Sequence, residues 1–240
     1  MGGEAGGLPQ ERAGRLPGPR GGTTLPRTSR VTRQDVLRDF RRRQIVEAAW
    51  DVIGHLGYAE ASVDRIAEAA GVARSTVYVY FEGKEALLDG CLRMGREELG
   101  RRLAAALRKG KGEGAEAGLA AFLEAVLSYI GANREFFRAV MAVQGLDAFF
   151  GAGGSAELAT LREETRELLA GILRSGVERG ELPDLDLELA GELLGTLLYG
   201  ALMRRSHAEE PAPAEPEARR LAQLFLYGAV GAGRRPASRG

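Results

Sequence analysis

The chain has 240 residues, 45% of them hydrophobic and 28% charged, enough apolar material for a sizeable core in one or two domains. Its 33 basic side chains balance 33 acidic ones, so contact with a nucleic acid must rest on a local basic surface and not on an overall field. A single cysteine, Cys91, rules out an intrachain disulfide, and with only His55 and His207 beside it no zinc site of familiar spacing forms; no metal and no cofactor are expected.

Residues 1–32 are rich in Gly, Pro and Arg and nearly free of apolar side chains, which predicts a disordered basic arm. The first 43 residues hold ten arginines against Glu4, Glu11, Asp35 and Asp39. Such an arm suits phosphate or minor-groove contacts, and a solvated tail without a role fits the same composition. No apolar signal core follows Met1, and the most hydrophobic later run, Leu185 to Met203, is broken by Asp186, Glu188 and Glu192. A cytoplasmic protein without a membrane span is therefore expected.

From Arg33 to Leu56 the positions Ile45, Ala49, Val52, Ile53 and Leu56 recur at steps of three and four, the apolar face of a helix that Gly57 ends. Trp50 reads as a core anchor of this helix. Ser62 is placed to cap a second helix, with Asp64 near its positive end and Arg65 where a capping box would need Glu or Gln. Ile66, Ala70, Val72 and Val77 supply a small shared core, Ala67 leaves room for a crossing helix, and Gly71 permits the turn. That order of parts predicts a helix-turn-helix, whose second helix enters the DNA major groove. Arg74 can donate two hydrogen bonds to a guanine edge, and Ser75 and Thr76 can reach bases or phosphates. Phe81 is read as a plug of the three-helix core.

Ile45, Ala48-Ala49, Gly57-Tyr58, Ser62, Ile66-Ala67, Ala70-Gly71-Val72, Thr76, the Tyr78-Val79-Tyr80-Phe81 run and Lys84-Glu85 with Leu87 together resemble the DNA-binding domain of the TetR (tetracycline repressor) family of bacterial transcriptional regulators. The resemblance spans about a fifth of the chain. It implies that Arg74, Ser75 and Thr76 approach bases or nearby phosphates, that Tyr78 and Tyr80 lie on the sugar-phosphate backbone, and that Lys84 meets a phosphate. Val79 falls where a side chain could touch a thymine methyl, and Ser62, with the amides it leaves open, is a further DNA-contact candidate. Ala73 departs from the family pattern, in which Ser often caps the recognition helix.

Leu87, Leu88, Cys91, Leu92, Met94, Leu99, Leu103 and Leu107 predict a long helix from Lys84 to Arg108, with Cys91 in the core. Further helices are predicted at 116–131, 133–144, 157–179, 187–205 and 217–230, the penultimate one capped by Asp184 or Asp186, and no alternating strand pattern appears. The chain thus reads as all-α: a basic arm at 1–32, a helix-turn-helix domain at 33–83, a helical regulatory and dimerisation domain at 84–231, and a flexible tail at 232–240.

Acidic pairs such as Glu97-Glu98 and Glu163-Glu164 read as ion-paired surface and not as general acids and bases, and no catalytic constellation is visible, so an enzyme is not expected. The family resemblance implies a homodimer on a double-stranded DNA operator and, in many members, a small-molecule effector bound in the C-terminal domain. Phe122, Tyr129, Phe137 and Met141 are the candidate pocket wall, although residue by residue the core reading is the stronger one. The function expected is a dimeric repressor released by a ligand. The alternative is a helix-turn-helix protein with a non-transcriptional role such as organising the chromosome.

Overall fold

A computed structural model describes residues 2–3, 32–109, 112–145, 153–208 and 212–231. The basic arm from residue 4 to 31, Phe149, Phe150 and the tail from 232 lie outside the described residues. The described residues form nine helices and no strand: α1 (Arg33–Glu60), α2 (Val63–Ala69), α3 (Arg74–Tyr80), α4 (Lys84–Lys109), α5 (Ala115–Ala132), α6 (Arg134–Gln144), α7 (Ala156–Glu178), α8 (Leu187–His207) and α9 (Ala214–Gly231).

Local chemistry sets the boundaries. Thr32 caps α1 in a full capping box with Asp35, a start signal that periodicity does not reveal. Helical geometry stops at Gly57, whose φ of 79° is open to glycine, and one short turn carries the chain to Glu60. Asp186, not Asp184, caps α8 by accepting from the amides of Glu188 and Leu189. The last helix starts at Ala214, earlier than its predicted start at 217. Pro216 falls in its first turn, where a missing N–H costs nothing. His207 closes α8 and is not the start of a loop.

Two apolar cores organise the molecule. The first gathers Ile45, Ala49 and Ile53 of α1, Ile66 and Ala67 of α2, Val77, Phe81, and Leu87 and Cys91 of α4, and it also takes in Phe136 and Val140 of α6 and Leu158 of α7. The second is built around α5, with Leu119, Phe122, Leu123, Leu127 and Tyr129 meeting Leu173 of α7, Leu194 of α8 and Ala222 of α9. Trp50 and Leu161 touch both. The three-helix unit is therefore seated on α6, and α4 and α7 are tied beside it by Arg93 and Arg96 reaching Glu157 and Glu164. Ion pairing also accounts for Glu98 with Arg101 and Arg102, and for Glu163 with Arg166.

The most apolar long helix is α5, not the run from Leu185 to Met203. By length and composition alone it could cross a membrane. It is the central helix of the second core, packed against α4, α7, α8 and α9, which accounts for its apolar character.

Candidate nucleic-acid interface

The recognition helix is short, and its seven residues divide sharply by face. Val77 is buried between α2 and the rest of the unit, while Arg74, Ser75, Tyr78 and Val79 are exposed, Val79 by 71%. An aliphatic side chain left that open on a helix whose opposite face is core marks a surface shaped to meet something. Thr76 is half-buried, and Tyr80 is half-buried against the first core, so its ring serves packing as well as the surface.

The turn before it is fixed by backbone. Val72 N–H donates to Ala67 at 3.0 Å, Gly71 adopts φ 64°, and the Gln44 amide donates to Ala70 O at 2.7 Å, bracing the turn from α1. Arg41 in turn holds Gln44 at 2.9 Å, and the Arg42 guanidinium lies 5.1 Å over the Phe81 ring, which is buried as the sequence implies. Ala73 gives α3 no side-chain cap.

Each predicted contact residue has a definite place. Ser62 caps α2, its hydroxyl accepting from Arg65 N–H at 3.3 Å, so one of the amides expected to face a phosphate is already satisfied. Arg74 donates to Asp64 at 3.0 Å and lies beside Tyr78, 3.4 Å from its hydroxyl and 5.7 Å over its ring. The Tyr78 hydroxyl and the Asp64 charge both raise the Arg74 pKa, keeping it cationic. Lys84 donates to Ala59 O at 3.0 Å with its ammonium 4.2 Å over the Tyr58 ring, at the start of the helix that leaves the unit. Sequence alone does not pair Asp64 with Arg74. Ten positions apart in the chain, they meet only once α2 and α3 cross.

The four candidate pocket residues separate. Phe122 and Tyr129 are buried in the second core, whereas Phe137 and Met141 line a small cavity between α5, α6 and α8 with Ile130, Leu202 and Met203. The same cavity is lined by Arg134, Arg138 and Arg205, which no sequence pattern singles out. Arg205 in particular looks in sequence like one of a surface pair with Arg204, yet it is 8% exposed.

Comparison with known proteins agrees with this geometry. The family model for bacterial regulatory proteins of the tetR family matches residues 45–91. The HTH-type transcriptional regulator SrpR of Pseudomonas putida is 32% identical over 164 residues, covering 67% of this chain and 73% of that protein. The HTH-type transcriptional regulator BetI of Cronobacter sakazakii is 28% identical over 190 residues, 79% of this chain and 91% of the relative. With BetI 1 of Chromohalobacter salexigens the match is shorter, 38% identity over 32% of that protein. Among solved structures, the TetR family regulator PfmR of Thermus thermophilus superposes with a TM-score of 0.62 at 27% identity, over 77% of this chain and 98% of its own. FadR of Bacillus subtilis, solved with stearoyl-CoA, shares the fold with a TM-score of 0.62 at 24% identity, over 78% and 98%. With a recognition unit matched by the family model and a relative at 32% identity matched over 73% of its length, the chain belongs to the tetR family of bacterial regulatory proteins and is a DNA-binding transcriptional regulator.

Proposed function

We propose that this protein is a dimeric cytoplasmic repressor that reads a pseudo-palindromic operator through Arg74, Ser75, Thr76 and Val79, with Ser62, Tyr78, Tyr80 and Lys84 on the backbone, and that a small-molecule effector releases it. The observation that carries the DNA reading is the outward row Arg74, Ser75, Tyr78 and Val79 on a helix anchored by Val77. The dimer is supported by α8 and α9, which leave Leu189, Leu193 and Leu224 exposed. Leu189, Leu193, Thr196 and Gly200 follow one another at helical spacing, and Gly200 has open space where a Cβ would stand. Two recognition helices in successive major grooves would lie about 34–36 Å apart.

Effector response is supported by the cavity on α6, the helix that also packs into the first core, and by the stearoyl-CoA held by Bacillus subtilis FadR, a protein of the same fold. An effector acts only to the extent that it binds one arrangement of the two heads better than the other. Selection of bound sequences from random duplex DNA by the purified protein tests the reading. A two-fold symmetric site with half-sites about one helical turn apart is expected, and recovery of unrelated sequences without symmetry would refute it.

A further inference from the structure

The cavity between α5, α6 and α8 has an unusual lining. Its volume is about 30 Å³, room for little more than water, and its carbon walls come from Ile130, Phe137, Met141, Leu202 and Met203. Three arginines line it and no carboxylate does. Arg205 is the deepest. Its Nη1 donates to Glu217 of α9 at 2.6 Å, while its Nε is buried with no hydrogen-bond partner among the described residues. Gly131 of α5 packs against this guanidinium, its Cβ position 3.4 Å from Arg205 Nη2, an ordinary contact distance.

A buried guanidinium N–H without an acceptor costs free energy unless something completes it. Carbon walls call for an apolar body, and a buried guanidinium N–H left without an acceptor calls for an anionic oxygen. Met141 and Met203 are unbranched side chains that re-pack readily, so the closed volume does not set the size of what enters.

We infer that this cavity takes an amphipathic anion, a carboxylate or phosphate head on an apolar chain, with the head on Arg205 Nε and the chain among Phe137, Met141, Leu202 and Met203. The site deepens the effector reading above and rests on it for its regulatory meaning. Glu217 is the built-in competitor: an arriving anion shares or displaces its hold on Arg205 and so loosens the strap between α8 and α9, the two helices proposed to form the dimer face. Arg204 also pairs with Glu217, so the strap loosens without leaving the Glu217 carboxylate bare.

Trp50 is the sole tryptophan and stands edge-on to Phe137 with ring centroids 6.5 Å apart, which makes its emission a reporter of the cavity. The full chain is titrated with decanoate and decyl phosphate below their micellar concentrations, and with decanol and decyltrimethylammonium as neutral and cationic counterparts. One or both anions are expected to shift Trp50 emission saturably and to bind about tenfold or more tighter than decanol; the better of the two identifies the head. Arg205→Met is expected to erase the preference for anion over alcohol. Glu217→Gln, which keeps the arginine and removes its competitor, is expected to tighten anion binding and carries the test if Arg205→Met does not fold. Equal binding of decanol and decanoate, an undiminished preference in Arg205→Met, or unchanged anion affinity in Glu217→Gln each overturns the site. A parallel measurement of operator release separates the two claims. Anion binding as described with DNA retained leaves the site standing and defeats effector release. Release by decanol or decyltrimethylammonium without anion binding does the reverse.

Discussion

Trp50 of α1 stacks on Phe136 of α6, with ring centroids 3.6 Å apart and planes 12° from parallel. The pair joins the first helix of the DNA-binding unit to a helix of the C-terminal domain, and the next residue along, Phe137, lines the cavity. One helix thus carries both the cavity wall and the seat of the reading head, so a displacement of α6 reaches α1 directly. Gly54 lies at the same contact, its Cβ position 3.4 Å from Phe136 N. Phe136 is 2% exposed, so Phe136→Ala is expected to cost about 3–5 kcal/mol. Urea unfolding followed through Trp50 emission measures it, and a loss below about 1 kcal/mol would show that the stack is dispensable.

Gly95 on α4 marks the other side of the same joint. A Cβ there would lie 3.1 Å from both the Trp50 ring and the Tyr129 hydroxyl. Gly95→Ala therefore overpacks the joint and is expected to destabilise by about 1–3 kcal/mol. Gly100, on the same helix, has open space where its Cβ would be, and Gly100→Ala is expected to stabilise by roughly 0.5–1 kcal/mol. Opposite signs in thermal melts of the two variants are the expected result, and equal gains would remove the steric role assigned to Gly95.

The helices of the reading head are legible in the sequence because each carries its own signals: apolar steps from Ile45 to Ile53, the Ser62 cap, and the glycines at 57 and 71 where φ is positive. Phe81 is legible as core for the same local reason. What stays hidden depends on residues far apart in the chain. Asp64 meets Arg74 only when two helices cross, Phe136 enters the first core from a helix predicted as part of another domain, and Arg205 is buried where it meets Glu217 of α9. Periodicity ranks a position as apolar or polar, and it cannot tell a solvated arginine from one drawn inside by a carboxylate on another helix. The start of α9 is hidden because Pro216 reads in sequence as a break, whereas it occupies a first turn.

At the DNA surface, Arg74 and Lys84 should behave differently. Arg74→Ala is expected to weaken operator binding by about 1–3 kcal/mol and relax selectivity at one base position. Lys84→Ala is expected to weaken all sequences alike and reduce the salt slope by about 1. Asp64→Ala frees Arg74 and removes a negative charge beside the phosphates, so it should tighten binding. Fluorescence anisotropy on operator and random duplexes across a salt series distinguishes these cases. Indistinguishable losses for Arg74→Ala and Lys84→Ala on both duplexes would contradict the division of roles.

The exposed leucines of α8 offer a direct assay of assembly. Leu193 is 54% exposed and contributes little to its own core, so Leu193→Glu should leave the protomer folded. In a dimer the same change buries a carboxylate against an apolar face, and sedimentation should show a monomer with weakened operator binding. A variant that stays dimeric would move the dimer contact away from this face.

Alkaline stability follows from two buried groups. Burial raises the Cys91 thiol from its ordinary 9.0 to about 12, with the Asp51 charge adding to the shift, and burial likewise raises Tyr129 from 10.0 to about 12, with Glu98 adding and Arg102 and Arg101 opposing. In both cases the folded protein holds its proton more tightly than the unfolded chain. The stability they contribute is therefore complete below about pH 9 and is lost as the pH rises from the unfolded values toward 12. The melting temperature is expected to fall across that window. Cys91→Ala should flatten the lower part of the decline, near pH 9 to 10, where the thiol is the group that titrates in the unfolded chain. A thiol reagent at about pH 8 should modify Cys91 only after denaturant is added, because the neutral, buried thiol supplies no thiolate. Rapid labelling of the native protein would mean that α1 and α4 part far more often than their shared core implies.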